Sequence, residues 1–101
     1  MVKSFNIFGT EYKLEFVDKI KCEDDNMFCW GDTDGRTHTI RISLKDLNGK
    51  KISSKEVRIT VLHELIHAIF NEGQYKDESN NEPLVEWVAR CLNSLLDQKI
   101  L

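Results

Sequence analysis

The sequence predicts an α+β domain in which a small antiparallel sheet of about four strands packs against two helices. Runs rich in β-forming residues occupy the first half of the chain and alternate polar with apolar positions. The second half instead carries apolar residues at helical spacing. Turn and capping signals separate these segments, and neither a repeat nor a low-complexity linker divides them. We therefore expect one domain over residues 1–101.

Two strands are predicted near the N-terminus, at Lys3–Phe8 and Glu11–Val17. The short Gly9-Thr10 segment between them favours a hairpin. Three apolar side chains of the second strand fall on one face: Tyr12, Leu14 and Phe16. We expect this face to be buried.

A second pair of strands is predicted at Met27–Gly31 and Thr37–Leu44. The intervening segment, Asp32–Gly35, contains an Asp-Gly pair, which is a strong signal for a tight turn. The strand at Thr37–Leu44 alternates cleanly and places four residues on its inner face: His38, Ile40, Ile42 and Leu44. If this strand is the sheet edge beside a cleft, an extended peptide could pair with it.

The first helix is predicted from Ser54 to Asn71. Ser53–Glu56 matches a capping box, and Gly73 is a natural residue for the C-terminal end. Its expected core stripe consists of Leu62, Leu65, Ile66 and Ile69.

A polar loop at Gln74–Asn81 precedes the second predicted helix, which begins near Asn81. Pro83 is tolerated in the first turn because the N–H groups there have no partner within the helix. The apolar face of this helix is expected to comprise Val85, Val88, Leu92, Leu95 and Leu96.

Composition narrows the expected location and partners. A formal charge of −3 gives no reason to expect nucleic acid or an anionic membrane as a partner. No apolar run approaches the length of a membrane span, and the N-terminus lacks a signal-peptide core, so we expect a cytoplasmic protein.

The odd set of cysteines, Cys22, Cys29 and Cys91, is not a disulfide framework; all three are predicted to be reduced and partly buried.

The residues that carry chemistry are His63, Glu64 and His67. They interrupt an otherwise apolar helix, and burying two imidazoles and a carboxylate is costly unless partners satisfy them. His63 and His67 are four residues apart, so both rings project from one face and can converge on one ion. Glu64 can then reach a water on that ion, as the general base of a metallopeptidase HExxH motif does.

A third protein ligand is expected, because catalytic zinc sites usually have three ligands and a water. The second helix offers Glu82 and Glu86, one turn apart on the same side. The spacing alone leaves both open as the ligand.

The segments HELIHAIF at 63–70 and EPLVEWVARCL at 82–92 resemble the small ImmA/IrrE-type metallopeptidases and related phage-encoded metallopeptidases of the gluzincin kind. In that pattern a glutamate opens the second helix and a hydrophobic-Ala pair follows two turns later, where this chain has Val88-Ala89. The resemblance therefore implies Glu82 as the ligand, Glu86 as a carboxylate behind it and a minimal zincin-like fold. It covers about Ile40 to Leu96, and the chain departs from it in lacking extra helices and in having Pro83 beside the ligand.

These residues together predict a zinc-dependent hydrolase, most specifically a metallo-endopeptidase acting on a peptide or protein. Zn²⁺ held by His63, His67 and Glu82 would activate a bound water, with Glu64 as the general base. His38 and Tyr75 are candidates for stabilising the tetrahedral intermediate, although a core histidine and a locally packed tyrosine are the more common structural roles.

Two other functions are open from the sequence. One is a zinc-containing binding or regulatory protein with the same fold and little turnover. The other is a structural zinc domain, in which a fourth protein ligand such as His38 or Cys29 would close the site.

Overall fold

The chain forms a four-stranded sheet covered by helices, as the α+β prediction requires. The computed structural model describes residues 2–20 and 28–100. In this part of the chain the elements are β1 (Val2–Ile7), β2 (Thr10–Val17), β3 (Gly31–Asp34), β4 (Thr39–Ser43), α1 (Ser54–Glu72), α2 (Lys76–Ser79) and α3 (Glu82–Asp97). The predicted class is confirmed, with one short helix more than expected.

The sheet has the order β1-β2-β4-β3 and is mixed rather than wholly antiparallel. The β1–β2 and β3–β4 pairs are antiparallel, but β2 and β4 run parallel. This happens because β3 lies at the edge and β4 returns from it into the space beside β2. The prediction of an antiparallel sheet was wrong for this central pair, since alternation within a strand does not encode the direction of its neighbour.

The N-terminal hairpin is confirmed, with its turn one residue earlier than expected. Phe8 and Gly9 both have positive φ, 47° and 93°, as a tight hairpin turn requires, and β2 already begins at Thr10. Tyr12 and Leu14 are buried, at 1% and 9% exposure, so the predicted inner face of β2 is correct for these two residues.

The third strand lies further along the chain than predicted. It was expected at Met27–Gly31, with a turn at Asp32–Gly35, whereas β3 is Gly31–Asp34 and the turn follows it. Met27 is outside the described residues. β3 is therefore one edge strand of the sheet, with β1 at the other edge, and β4 is an interior strand rather than the edge beside the cleft.

Tertiary partners explain why turn-forming residues make a strand here. Asp32 forms an ion pair with Arg41 on β4. Thr33 hydrogen-bonds to Glu64 on α1, with 2.8 Å between Thr33 Oγ1 and Glu64 Oε1. Gly35 does lie in the turn, and Asp34 supports that turn because its carboxylate accepts hydrogen bonds from the backbone N–H groups of Arg36 and Thr37.

The main apolar core lies between the sheet and α1, and we call it the sheet core. Its buried members are Tyr12, Leu14, Ile40, Ile42 and Ala68. Ile40 and Ile42 have no exposed surface, which confirms the predicted inner face of β4 for this pair. His38 instead belongs to the turn before β4, with φ of 52°, and its ring packs 4.9 Å from that of Tyr12.

Helix α1 begins as its capping signal predicts. The Ser53 side chain accepts a hydrogen bond from the N–H of Glu56 at 3.2 Å. At the other end Gly73 has a right-handed φ of −81°, and a Cβ there would lie 2.8 Å from the ring of Tyr75. The absence of a Cβ at Gly73 permits that close approach. The predicted core stripe is wrong at Ile69, which is 53% exposed.

Helix α3 packs against α1 through a narrower stripe than predicted. The predicted loop at Gln74–Asn81 contains α2, after which Asn81 caps α3 by accepting a hydrogen bond from the N–H of Leu84. The buried residues of α3 are Val85, Ala89 and Asn93. The expected apolar residues Leu92, Leu95 and Leu96 are between 38% and 42% exposed.

The cysteine prediction was wrong for one residue. Cys29 forms a disulfide bond, whereas Cys91 is a free thiol of intermediate burial. Cys22 lies outside the described residues. The backbone of Cys29 pairs with Ile20 in an isolated antiparallel bridge. None of the helices in residues 2–20 and 28–100 combines the length and apolarity needed to cross a membrane.

Candidate metal centre

Helix α1 presents His63 and His67 on one face, as their spacing predicts. The centroids of the two rings are 5.0 Å apart, and their Nε2 atoms are separated by 3.3 Å. Both side chains are mostly buried, with 17% and 14% of their surfaces exposed. Two imidazole nitrogens therefore point into the same small volume.

Helix α3 adds the carboxylate of Glu82 from the opposite side. Glu82 Oε2 lies 2.9 Å from His63 Nε2, and Glu82 Oε1 lies 2.9 Å from His67 Nε2. The three side chains offer ligand atoms that all lie within 4.8 Å of one another. Tetrahedral ligands about 2.1 Å from a zinc ion are separated by roughly 3.4 Å, so this donor set fits such an ion.

The outer nitrogen of each histidine contacts a different helix. His63 Nδ1 lies 3.0 Å from Glu86 Oε1 on α3, and His67 Nδ1 lies 3.2 Å from the Ser79 hydroxyl on α2. These contacts fix how each ring is rotated, as the outer partners of metal-binding histidines do. Both Nε2 atoms are thereby directed at the carboxylate of Glu82.

The chemistry of these contacts favours a cation at the centre. The ionised carboxylate of Glu86 can only accept a hydrogen bond, so His63 Nδ1 carries the hydrogen. In a neutral imidazole His63 Nε2 then has a lone pair, which faces a carboxylate oxygen of Glu82 at 2.9 Å. Two acceptors this close require a proton or a metal ion between them.

Glu86 has a different role from Glu82, because it faces the outer nitrogen of His63 rather than the two Nε2 atoms. Burial raises the pKa of its carboxyl, but hydrogen bonds from His63 and Arg90 outweigh this effect and hold the pKa below its usual value. Arg90 Nε donates to Glu86 Oε2 at 3.1 Å, and the same guanidinium lies 3.7 Å from Glu56 on α1. Glu86 therefore remains an anion facing the outer nitrogen of His63.

Glu64 lies beside the three converging groups rather than among them. Its carboxylate oxygen Oε2 is 3.9 Å from His63 Nε2, while Oε1 accepts a hydrogen bond from Thr33. Only 6% of the residue is exposed. Burial raises the pKa of the Glu64 carboxyl above its usual value, although the Thr33 hydrogen bond and the nearby histidines oppose the shift.

A cavity of about 830 Å³ opens over the site. It is lined by His63, Glu64, His67, Glu82 and Glu86, by the start of β3 and by the preceding Phe28 and Trp30. Neither His38 nor Tyr75 is among its lining residues. His38 packs on Tyr12, and the ring centroid of Tyr75 lies 6.5 Å from that of Phe70. The structure therefore brings neither residue to the site, where each was a candidate for stabilising the tetrahedral intermediate.

Three contributors to the site were missed from the sequence: Thr33, Ser79 and Arg90. Thr33 and Ser79 lie in segments whose composition predicts a turn and a loop. Nothing in these segments indicates that Thr33 contacts Glu64, which is 31 positions away, or that Ser79 contacts His67, which is 12 positions away. Arg90 could have been noticed, because it follows Glu86 at the i,i+4 spacing of a helical ion pair.

The chain was compared with protein-family models, with curated proteins and with solved structures, and no match was found in any of the three.

Proposed function

We propose that this protein is a metal-dependent hydrolase, and most specifically a zinc metallo-endopeptidase. The observation that carries the proposal is the convergence of His63, His67 and Glu82 beside the buried carboxylate of Glu64. Two imidazoles and one carboxylate are a ligand set that catalytic zinc sites use.

The number of donors favours a catalytic rather than a structural site. Structural zinc is enclosed by four protein ligands, whereas a catalytic ion keeps a position for water or substrate. Of the two fourth ligands considered above, His38 packs on Tyr12 and Cys29 is in a disulfide. The group found among the described residues has three members, and the cavity leaves it accessible.

The chain's own residues supply the acid–base chemistry. When bound, the ion would act as a Lewis acid that activates water and polarises the scissile carbonyl. Glu64 then accepts a proton from the attacking water through Oε2, the oxygen nearer the histidines, and returns it to the leaving amine. Burial raises the proton affinity of Glu64, which suits a group that both takes and gives a proton.

The sheet edge supports a peptide or protein as the substrate. β3 is a terminal strand of the sheet, and its first residues line the same cavity as the histidines. An extended substrate chain could add to the open side of β3, which would lay its backbone across the site. This role was assigned above to the strand at Thr37–Leu44, but that strand is interior.

We retain a cytoplasmic location as part of the proposal. Disulfides persist mainly in oxidising compartments, so Cys29 no longer favours the cytoplasm.

The proposal is tested by comparing the hydrolysis of a peptide library by the zinc-loaded protein and by Glu64→Gln. The variant should bind the ion as the parent does but lose hydrolysis by roughly 100-fold or more, because general-base catalysis is removed. Glu11→Gln is a matched control, since Glu11 is exposed and does not line the cavity. Equal hydrolysis by Glu64→Gln would contradict the mechanism, and a zinc-loaded parent that cleaves nothing would favour the binding-protein alternative.

A further inference from the structure

Thr33 makes a hydrogen bond from the sheet to the base of the proposed reaction. Its hydroxyl lies 2.8 Å from Glu64 Oε1 and 3.2 Å from the backbone oxygen of the same residue. An ionised carboxylate only accepts hydrogen bonds, so the Thr33 hydroxyl is the donor to Oε1. This leaves Oε2 as the carboxylate oxygen nearer to His63.

The contact matters because Glu64 is a flexible side chain in a nearly buried position. A glutamate has three rotatable side-chain bonds, and in a residue that is only 6% exposed few water molecules can hydrogen-bond to the carboxylate. Each histidine is oriented by a helix, His63 through Glu86 on α3 and His67 through Ser79 on α2. The sheet provides the corresponding contact for Glu64.

The position of Thr33 is fixed by its neighbours in β3. Thr33 is paired with Ile40, which is fully buried in the sheet core, so the strand register is anchored. Gly31 lies two residues earlier on the same face of β3 and has no side chain to hold the strand away from α1. A Cβ at Gly31 would lie 2.8 Å from Thr60 Cγ2 and 3.0 Å from Glu64 Cγ.

We propose that Thr33 is a positioning residue, which directs Glu64 Oε2 towards the water at the metal centre by holding Oε1. This inference rests on the proposed hydrolase function. It assigns to the edge strand a role in setting the turnover rate, in addition to any role in binding the substrate backbone.

The first test compares the kinetics of Thr33→Val and Thr33→Ser. Val keeps the β-branched shape and lacks the hydroxyl, whereas Ser keeps the hydroxyl. We expect Thr33→Val to lower kcat by roughly 10- to 100-fold with KM and zinc content little changed, the range seen for supporting contacts at metal sites. Thr33→Ser should recover most of the loss. Thr39→Val on β4 is the matched control, because the Thr39 hydroxyl donates to the backbone oxygen of Thr37 and Thr39 does not line the cavity.

Unchanged kcat in Thr33→Val, or an equal loss in Thr33→Ser, would overturn the positioning role. A loss confined to KM would also overturn it, since that result would describe substrate binding by the edge strand.

A second measurement separates this inference from the proposed function. Urea unfolding midpoints of zinc-loaded parent, Thr33→Val, Glu64→Ala and the double variant form a mutant cycle. We expect Thr33→Val to lower the midpoint when Glu64 is present and to have a smaller effect when it is Ala, because only the contact with the backbone oxygen of residue 64 is then lost. Absence of coupling would overturn the inference even in an active enzyme. A parent without hydrolysis would overturn the proposed function. Retained coupling would then still support the contact by which Thr33 holds Glu64, whereas absent coupling would overturn the inference as well.

Discussion

The two sides of helix α1 are built on different principles. The side that faces the sheet core is apolar and closely packed, and it needs only residues of suitable size. The side that faces β3 and α3 carries His63, Glu64 and His67, and each of these groups has a named partner from another element. Shape therefore maintains the first side. On the second side Ile59 and Ile66 also pack against Val85 and Ala89 of α3. Its polar cluster, which consists of His63, Glu64, His67 and their partners, is held by hydrogen bonding and charge.

Stability and chemistry are therefore divided between the two sides of α1. Losing volume in the sheet core should unfold the protein without a specific effect on metal affinity. Losing a partner in the polar cluster should change metal binding or turnover with a smaller effect on folding.

The largest effect is expected from Ile40→Ala in the sheet core. Ile40 has no exposed surface, so the truncation leaves a cavity and should lower the free energy of unfolding by about 2–5 kcal/mol. Urea unfolding checks this value, and Ile69→Ala is the matched control because Ile69 is 53% exposed. Similar losses in both variants would show that burial does not distinguish the two positions.

Gly31→Ala tests the junction between the two sides. The added methyl group would lie 2.8 Å from Thr60 Cγ2 and 3.0 Å from Glu64 Cγ, so β3 or these two side chains must shift, at a cost of about 1–3 kcal/mol. We expect turnover to fall as well, because either shift disturbs the contact between Thr33 and Glu64. Gly35→Ala is the control, since nothing lies within 4 Å of a Cβ at that position. If the two variants match in stability and turnover, close packing of β3 on α1 is not required.

Glu86→Gln should act on the polar cluster alone. The amide removes the negative charge facing His63 Nδ1, so zinc affinity should fall by roughly 10- to 100-fold while the fold is kept. Competition with a chelator measures the affinity, and Glu78→Gln on α2 serves as the control. An unchanged affinity would mean that Glu86 does not support His63.

The smallest expected effect is the pH dependence of the contact between Tyr12 and Glu72. The Tyr12 hydroxyl donates to Glu72 Oε1 at 2.5 Å and holds the pKa of Glu72 below its usual value. A carboxyl with a lowered folded-state pKa adds stability above its unfolded pKa of about 4.3, and this contribution is lost as the pH falls through the folded pKa. Urea midpoints at pH 7 and pH 3 should therefore differ more in the parent than in Tyr12→Phe. Equal differences would show that the contact adds no pH-dependent stability.

The sequence predicted the sheet core better than the polar cluster, for a physical reason. Burial of Tyr12, Leu14, Ile40 and Ile42 follows from alternation within single strands, which is a local property. The direction of β4 beside β2 depends on the path of the chain that connects them, and the residues of the two strands do not specify that path.

The same distinction applies within the site. The convergence of His63 and His67 follows from helix geometry, and the resemblance placed Glu82 as their partner. Thr33 could not be found, because Asp32–Gly35 has the composition of a turn. Its first three residues nevertheless form a strand that pairs with β4 and contacts Arg41 and Glu64. Ser79 likewise depends on the way α2 folds back on α1.

Metal titration of the purified, metal-free protein tests the central claim most directly. Calorimetry should show that the parent binds a single zinc ion per chain, that Glu82→Gln binds it far more weakly and that Glu78→Gln binds it as the parent does. Failure of the parent to bind zinc, or equal binding by the parent and Glu82→Gln, would contradict the assignment of His63, His67 and Glu82 as the metal centre.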